Sequence, residues 1–397
     1  MSSTSSTASP PTQLFALALL PILTLTLIVF MVTGLALPVL PLHVHDRLGM
    51  GTVMVGLVTG AQFAAALVSR VWSGQVSDTQ GAKRAVVAGM LTAVASGLLY
   101  FISLSVTAMP LLSAGILLAG RALLGGAESF VITGALSWGL VLAGPKNTGR
   151  AIAWIGMAMY VAFAVGAPIG TALYLRYGFA AIAWATMAFP LLGLLMMTPM
   201  RAPAAAGQAR PSFAKVIRAV LRPGLGLALS SLGFGAITTF IALLFSTHGW
   251  QAAWLALSGF SGAFVLARLF FGHLPDRMGG ARVALACLLI EAAGQALIWI
   301  APGPACAVAG AVLTGFGYSL VYPGLGIEAV RAVPEENRGL AMGAYTAFFD
   351  LALGLAGPLL GWIASGAGIA SVFLVSAAVV LCATAIAFPL AQGKARL

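Results

Sequence analysis

Apolar stretches of roughly 20 residues follow one another from one end of the chain to the other, each about long enough to cross ~30 Å of hydrocarbon as a helix. Twelve such spans are predicted, at about residues 14–42, 51–74, 85–106, 111–140, 151–173, 180–199, 223–246, 252–272, 283–300, 305–330, 340–364 and 368–390. Polar residues are confined to the short breaks between them. The longest break, residues 200–222, is rich in Ala, Pro, Gly and Arg and reads as a linker between residues 14–199 and 223–391. Residues 1–13 and 392–397 read as tails. An all-α membrane protein follows.

Composition agrees. Of 397 residues 60% are hydrophobic and 7% charged, where a soluble domain carries about a quarter charged, and the mean hydropathy is +1.03. The 48 glycines suit helices that approach one another closely in lipid. The N-terminal tail is Ser/Thr/Pro-rich without Lys or Arg, so the first span is expected to be retained rather than cleaved as a signal peptide. Cys287, Cys306 and Cys382 are scattered through apolar runs and offer no disulfide or metal framework.

The net charge of +11 changes meaning once it is placed along the chain. All of the 20 Lys and Arg except Arg47, Arg121 and Arg176 are placed on the side of both termini, Arg70 and Arg268 among them. By the positive-inside rule that side is cytoplasmic. The charge is a topology signal and an attraction to lipid headgroups, and it does not point to nucleic acid.

The two halves repeat. Gly74, Asp78, Gly81 and Arg84, after the second span, recur as Gly272, Asp276, Gly279 and Arg282 after the eighth, at one constant offset that also pairs Arg70 with Arg268. Ala188-Phe189-Pro190-Leu191 recurs as Ala387-Phe388-Pro389-Leu390 at an offset one residue longer. Ala167-Pro168-Ile169-Gly170 has its counterpart in Gly357-Pro358-Leu359-Leu360-Gly361. Two pseudosymmetric six-helix bundles are expected.

These residues also carry a family likeness. Gly74-x-Val76-x-Asp78-x-x-Gly81-x-Lys83-Arg84 resembles the signature between the second and third spans of the major facilitator superfamily, and Arg121-x-x-x-Gly125 resembles its second motif. Gly156 with Gly166-Ala167-Pro168-Ile169-Gly170 is similar to the motif of its antiporters, with Ala167 where that motif carries Gly. More narrowly the chain resembles the YhhS/YfcJ group of bacterial facilitators, through Val44-His45-Asp46, Phe240-Ile241, Gly249-Trp250, Gly317-Tyr318-Ser319-Leu320-Val321 and Asp350. The likeness implies the major facilitator fold and a conformational latch at Gly74, Asp78, Gly81 and Arg84 with their repeats Gly272, Asp276, Gly279 and Arg282. It further implies a cavity lined by the first, fourth, seventh and tenth spans. Residues there that suit a modestly polar or amphipathic substrate are Thr26, Thr33, Ser231, Thr238, Phe240, Tyr318 and Tyr322, with Tyr160 on the fifth span.

An ionisable group in hydrocarbon costs roughly 2.5–3.5 kcal/mol on insertion scales and is a functional candidate by default. Three carboxyls, Glu128, Glu291 and Asp350, fall inside spans, beside what reads as a lone intramembrane cation, Arg121. Glu128 stands two turns beyond Arg121 on nearly the same helix face, which suits a titratable site tuned by a guanidinium. Asp350 and Tyr160 stand at the same distance before Pro358 and Pro168, in matched positions of the two halves. Arg121, Glu128 and Asp350 are therefore the expected proton-coupling set, and Glu291 is expected to be peripheral. His43, His45 and Asp46 read as a solvated loop without a full metal-ligand set. No nucleophile–base or metal motif of an intramembrane enzyme appears, and no break is long enough for a signalling domain. The expectation is a proton-coupled antiporter that exports a small amphipathic or polar molecule from the bacterial cytoplasm, the alternative being an uptake symporter or uniporter. Its expected partners are the substrate, protons and lipid, as a monomer without cofactor, metal or nucleic acid.

Overall fold

The structure, a computed structural model, describes residues 12–144, 147–200, 213–334 and 338–392. The expected tails lie almost wholly outside the described residues, as does the 201–212 part of the expected linker. Among the described residues twelve helices are long and apolar enough to cross a membrane. They are α1 (Thr12–Ala36), α2 (Thr52–Gln80), α3 (Ala82–Ser105), α4 (Pro110–Ala143), α5 (Thr148–Tyr177), α6 (Phe179–Met197), α7 (Phe213–Thr247), α8 (Trp254–Phe271), α9 (Gly280–Trp299), α10 (Pro304–Arg331), α11 (Arg338–Ala367) and α12 (Ala370–Ala391). An even number of these helices puts the start of α1 and the end of α12 on one face, here called the termini face.

Two boundaries depart from expectation in ways that matter. The second helix does not stop where its apolar run stops: it continues through Gly74 and the polar stretch to Gln80. Gly74 is thus helical, with open space around it, rather than in a turn. The turn is made by Gly81, whose φ of +95° is matched by +95° at Gly279 in the second half, a conformation that glycine adopts without the Cβ penalty. The seventh helix starts at Phe213, inside the stretch expected as linker.

His43, expected in a solvated loop, is buried. The chain beyond α1 stays helical through Leu40–Leu42 and a π-helical turn, His43–Arg47, and the His43 ring stacks on Phe179 with centroids 4.2 Å apart. Only Asp46 and Arg47 of that turn are exposed.

The halves pack alike. In the first, α1 lies on α4, α5 and α6, α3 on α4 and α6, and α2 on α4. In the second, α7 lies on α10, α11 and α12, α9 on α10 and α12, and α8 on α10. These are the same pairings displaced by six helices. Small residues set the spacing: a Cβ on Gly166 of α5 would meet the Gly34 backbone of α1 at 2.8 Å, and one on Gly170 would collide with Leu35. These α5 contacts lie within the first half, whereas the counterpart Gly357-Pro358 of α11 packs across the seam on Gly56 and Gly60 of α2. Side chains such as Leu98, Trp184, Leu266, Phe270, Leu359 and Trp362 stand exposed on the outside, an apolar belt suited to lipid.

Between the halves the principal crossings are α2 with α11 and α5 with α8, again a symmetric pair. At the first, Gly56 lies backbone to backbone on Gly357, and Gly60 meets Gly354. Thr52 Oγ1 donates to Gly361 O (2.7 Å). At the second, Ser258 Oγ donates to Ala164 O (2.7 Å). All these contacts lie toward the face opposite the termini, which they close.

A side chain at Gly56 therefore has nowhere to go. Gly56→Ala is expected to lower stability by about 1–3 kcal/mol, the usual range for overpacking, read as a lower thermal midpoint in lipid nanodiscs. Gly115→Ala, whose Cβ meets nothing within 4 Å, is expected to leave the midpoint unchanged or raise it through helix propensity worth up to about 1 kcal/mol. Equal effects from the two substitutions would show that the crossing is not tightly packed.

Candidate functional site

Polar groups that cannot face lipid gather where the halves meet. A cavity of about 230 Å³ lies there. Its wall combines Phe30 and Thr33 of α1 with Leu37 just after it, Gln62, Phe63 and Arg70 of α2, and Glu128, Ile132 and Leu136 of α4. Ile152, Gly156, Tyr160 and Phe163 of α5 continue it. The second half adds Phe234 of α7, Phe264 and Arg268 of α8, Tyr318 and Tyr322 of α10, and Thr346, Phe349 and Asp350 of α11. Apart from Phe30, Thr33 and Leu37, at or just beyond the far end of α1, these residues lie in the middle of their helices or toward the termini face, and Ile152 at the rim is 40% exposed. With the opposite face closed by the crossings above, the cavity opens toward the termini.

Two carboxylates reach it. Asp350, 4% exposed, is gripped by Arg70 across the seam: Nε lies 2.9 Å from Oδ2, and Nη2 donates to the same oxygen. Glu128 is held from two other helices, by the Thr33 hydroxyl of α1 and by Gln62 Nε2 of α2 at 2.5 Å. Gly125, one turn before Glu128, has its Cα against the Gln62 backbone, so the glycine of the Arg121-x-x-x-Gly125 motif is what lets α4 come close enough to α2 for that bond.

Arg121 is not brought to the cavity. It is buried at 2% exposure in the first half, with Nη1 3.5 Å from Tyr100 Oη. Nor is it the lone intramembrane cation. Arg70 and Arg268, expected at the termini face, both stand in the cavity wall; α2 continues well past Arg70 to Gln80, whereas Arg268 lies in the last turn of α8. Glu291 is buried away from the cavity and accepts a hydrogen bond from Ser230 (2.7 Å).

Of the expected cavity residues, Thr33, Tyr160, Tyr318 and Tyr322 line it and four do not. Thr26, Ser231 and Thr238 turn their hydroxyls to carbonyls one turn back, at Ile22 (3.0 Å), Leu227 (2.7 Å) and Phe234 (2.9 Å). Phe240 is fully buried in the core toward the closed face. Hydroxyls in a helix satisfied by their own backbone have no need of a cavity. The aromatic wall is built by Phe234 lying parallel to Tyr318 (centroids 5.8 Å) and Tyr160 stacked on Phe264 (3.5 Å). Of the antiporter-type residues only Gly156 faces the cavity; Gly166 and Gly170 face α1, and Pro168 lies inside α5.

Sequence reasoning missed Arg70, Arg268, Gln62 and Phe264. A signal for the two arginines was present in their shared repeat offset, one turn before the glycine motif. The latch residues Asp78, Arg84, Asp276 and Arg282 are exposed, and among the described residues neither aspartate forms an ion pair. Lys83 instead binds the end of α6, at Thr198 O (3.2 Å) and Met200 O (2.7 Å).

The sequence profile of the Major Facilitator Superfamily matches residues 22–258 and again 224–396. An uncharacterized MFS-type transporter of Salmonella typhimurium is 42% identical over 359 residues, 90% of this chain and 92% of its own length. Another, from Pseudomonas aeruginosa, is 42% identical over 394 residues, 98% of each. Among solved structures, the nucleoside transporter NupG has a TM-score of 0.74 at 17% identity, covering 96% of this chain and all of its own. A bacterial homologue of the human lysosomal transporter Spinster, inward-facing and unoccupied, has 0.70 at 15% identity over 98% of each chain. The chain belongs to the Major Facilitator Superfamily.

Removing one partner of the cross-seam pair strands the other. Breaking a buried pair costs about 3–5 kcal/mol, discounted here to about 1–3 because the Arg70 side chain is 26% exposed and partly screened. Arg70→Gln and Asp350→Asn are each expected to lower the thermal midpoint, and the double substitution to cost less than the two singles added. Additive losses would show that the two side chains do not interact.

Proposed function

We propose that this member of the Major Facilitator Superfamily is a proton-coupled antiporter that exports a small amphipathic or polar molecule by alternating access. The observation that carries the reading is the placing of two carboxylates, Glu128 and Asp350, in a cavity between the halves that opens to one face only. A protein that needs only a passage has no use for ionisable groups there, and retaining them costs free energy.

The chemistry follows from what each carboxylate holds. Ionised Asp350 binds Arg70 and ties α11 to α2. A proton on that carboxylate cancels the attraction, so protonation shifts the balance between a state closed at this crossing and one open there. Ionised Glu128 accepts hydrogen bonds from α1 and α2, and its protonation withdraws an acceptor from one of them. Both carboxylates thus convert a proton into a change in how helices are held. Arg121, two turns from Glu128 on the same helix, acts on it through its field alone.

The positive-inside rule places the termini face, and with it the open side of the cavity, in the cytoplasm of a bacterial inner membrane. Substrate then enters from the cytoplasm, and the antiporter-type residues of α5 favour export over uptake. In this reading residues 14–199 and 223–391 move as two bundles of a monomer within the YhhS/YfcJ group. The exposed loops at Asp78 and Asp276 are the two halves of a latch that is released while the cavity faces the cytoplasm.

The test is an export profile of metabolites and drugs in cells with and without the gene, followed by pH change inside proteoliposomes loaded with the exported compound. Export accompanied by proton movement is expected, with the proton signal lost in Asp350→Asn and reduced in Glu128→Gln. Substrate flux that leaves internal pH unchanged, or both variants exporting against a gradient as wild type does, overturns the coupling.

A further inference from the structure

Arg70 of α2 and Arg268 of α8 occupy equivalent positions in the repeat, and the crossings they serve, α2 with α11 and α5 with α8, are each other's counterpart. At the first crossing α11 presents Asp350 to Arg70. At the second, α5 presents Tyr160, which stands as far before Pro168 as Asp350 stands before Pro358. One seam thus closes a guanidinium on a carboxylate. The other has the guanidinium and lacks the carboxylate.

The surroundings of Arg268 show what is left unfilled. Nη2 donates to Ser319 O (2.5 Å), and the guanidinium carbon lies 4.9 Å from the centre of the Phe264 ring. Nε is buried with no hydrogen-bond partner. Beside Nη1 the wall is Gly156: a Cβ built there would meet Nη1 at 3.7 Å and nothing else within 4 Å. Space for an added group therefore lies next to a donor. Both cavity carboxylates are engaged elsewhere, Asp350 on Arg70 and Glu128 on Thr33 and Gln62. A guanidinium in so apolar a wall, with donors unspent, is costly unless an anion joins it.

We infer that the transported molecule is an organic anion. Its carboxylate, phosphonate or sulfonate docks on Arg268 beside Gly156, where the first seam has Asp350, and its apolar or aromatic body lies against Tyr160, Phe234 and Tyr318. A planar guanidinium is suited to such oxyanions, which it meets with paired donors, and the stacked rings supply area for the rest of the molecule. The inference shares with the proposed export only the assumption that this cavity is the substrate site. It depends on neither the direction of transport nor the proton.

The experiment is equilibrium binding to the full chain in lipid nanodiscs, with benzoate, phenylphosphonate and benzenesulfonate as probes and benzamide as the neutral control. At least one acid is expected to bind about tenfold or more tightly than the amide. Arg268→Gln is expected to erase that preference and Arg268→Lys to keep part of it. Tyr160→Asp, which gives the second seam the carboxylate of the first, is expected to expel the acid. Gly156→Leu, which fills the space, is expected to expel it with Arg268 intact, so the result stands even if Arg268→Gln does not fold. Acid and amide binding alike, no acid binding, or an acid preference that survives in Tyr160→Asp and Gly156→Leu overturns the inference. A proteoliposome assay without proton movement leaves it untouched, so the two readings fail separately.

Discussion

Hydrocarbon offers no partner to a charge, so each ionisable side chain inside these helices must be answered by protein or by the water of the cavity. Among the described Lys, Arg, Asp and Glu, six line the cavity or are buried: Arg70, Arg121, Glu128, Arg268, Glu291 and Asp350. Glu291 is answered by Ser230, and Arg121 has Tyr100 beside it, both inside a single bundle. The other four converge on the seam. That convergence leaves the outer faces free to be apolar and leaves the region between the halves as the place where polar chemistry is affordable. The cavity, its opening and its ionisable wall are consequences of the same exclusion of water.

Duplication builds the scaffold, and departures from duplication build the site. Helix pairings in one half reappear six helices later in the other, and even the turn glycines Gly81 and Gly279 share a backbone conformation. Within that frame the cavity is lopsided. Only the first half places a carboxylate from its fourth helix there, Glu128, and the matched positions on the fifth and eleventh helices differ as Tyr160 and Asp350. A symmetric pair of arginines thereby meets two unlike partners. Where a repeat keeps its cations and varies what faces them, the two seams become chemically different.

Much of this was legible in the sequence, and the limits have physical causes. Twelve spans, the repeat and the family motifs follow from run length and offset, which do not depend on how helices pack. Glu128 and Asp350 were found because a carboxyl inside an apolar run is conspicuous. Arg70 and Arg268 were misplaced because a cation close to the end of an apolar run was assigned to the adjoining face; α2 runs on beyond Arg70 to Gln80, and Arg268 reaches the cavity from the last turn of α8. A long guanidinium near a helix end can reach either way. Hydroxyls were the least readable. Thr26 and Thr33 lie two turns apart on one helix, yet one bonds its own backbone and the other a carboxylate on α4. Only packing distinguishes them. His43 was missed for the same reason: its ring is buried against Phe179, far away in sequence.

The closed face is held by two kinds of interaction that respond differently to distance, and this division suits a molecule with two states. Gly56 on Gly357 and Gly60 on Gly354 are backbone contacts at van der Waals range. Such contacts lose a quarter to a half of their attraction once a gap of even 0.5–1 Å opens, so the crossing is either shut or open with little between. Thr239 on Thr59 (3.3 Å) and Thr52 on Gly361 (2.7 Å) are similarly all-or-none. The Arg70–Asp350 attraction falls off more gently and alone among them can be switched off by a proton. In the proposed cycle the glycine seam therefore supplies the bistability and the ion pair supplies the handle. An ion pair without the seam would give a graded, leaky opening. A seam without the pair would give a sound closure that no proton could address.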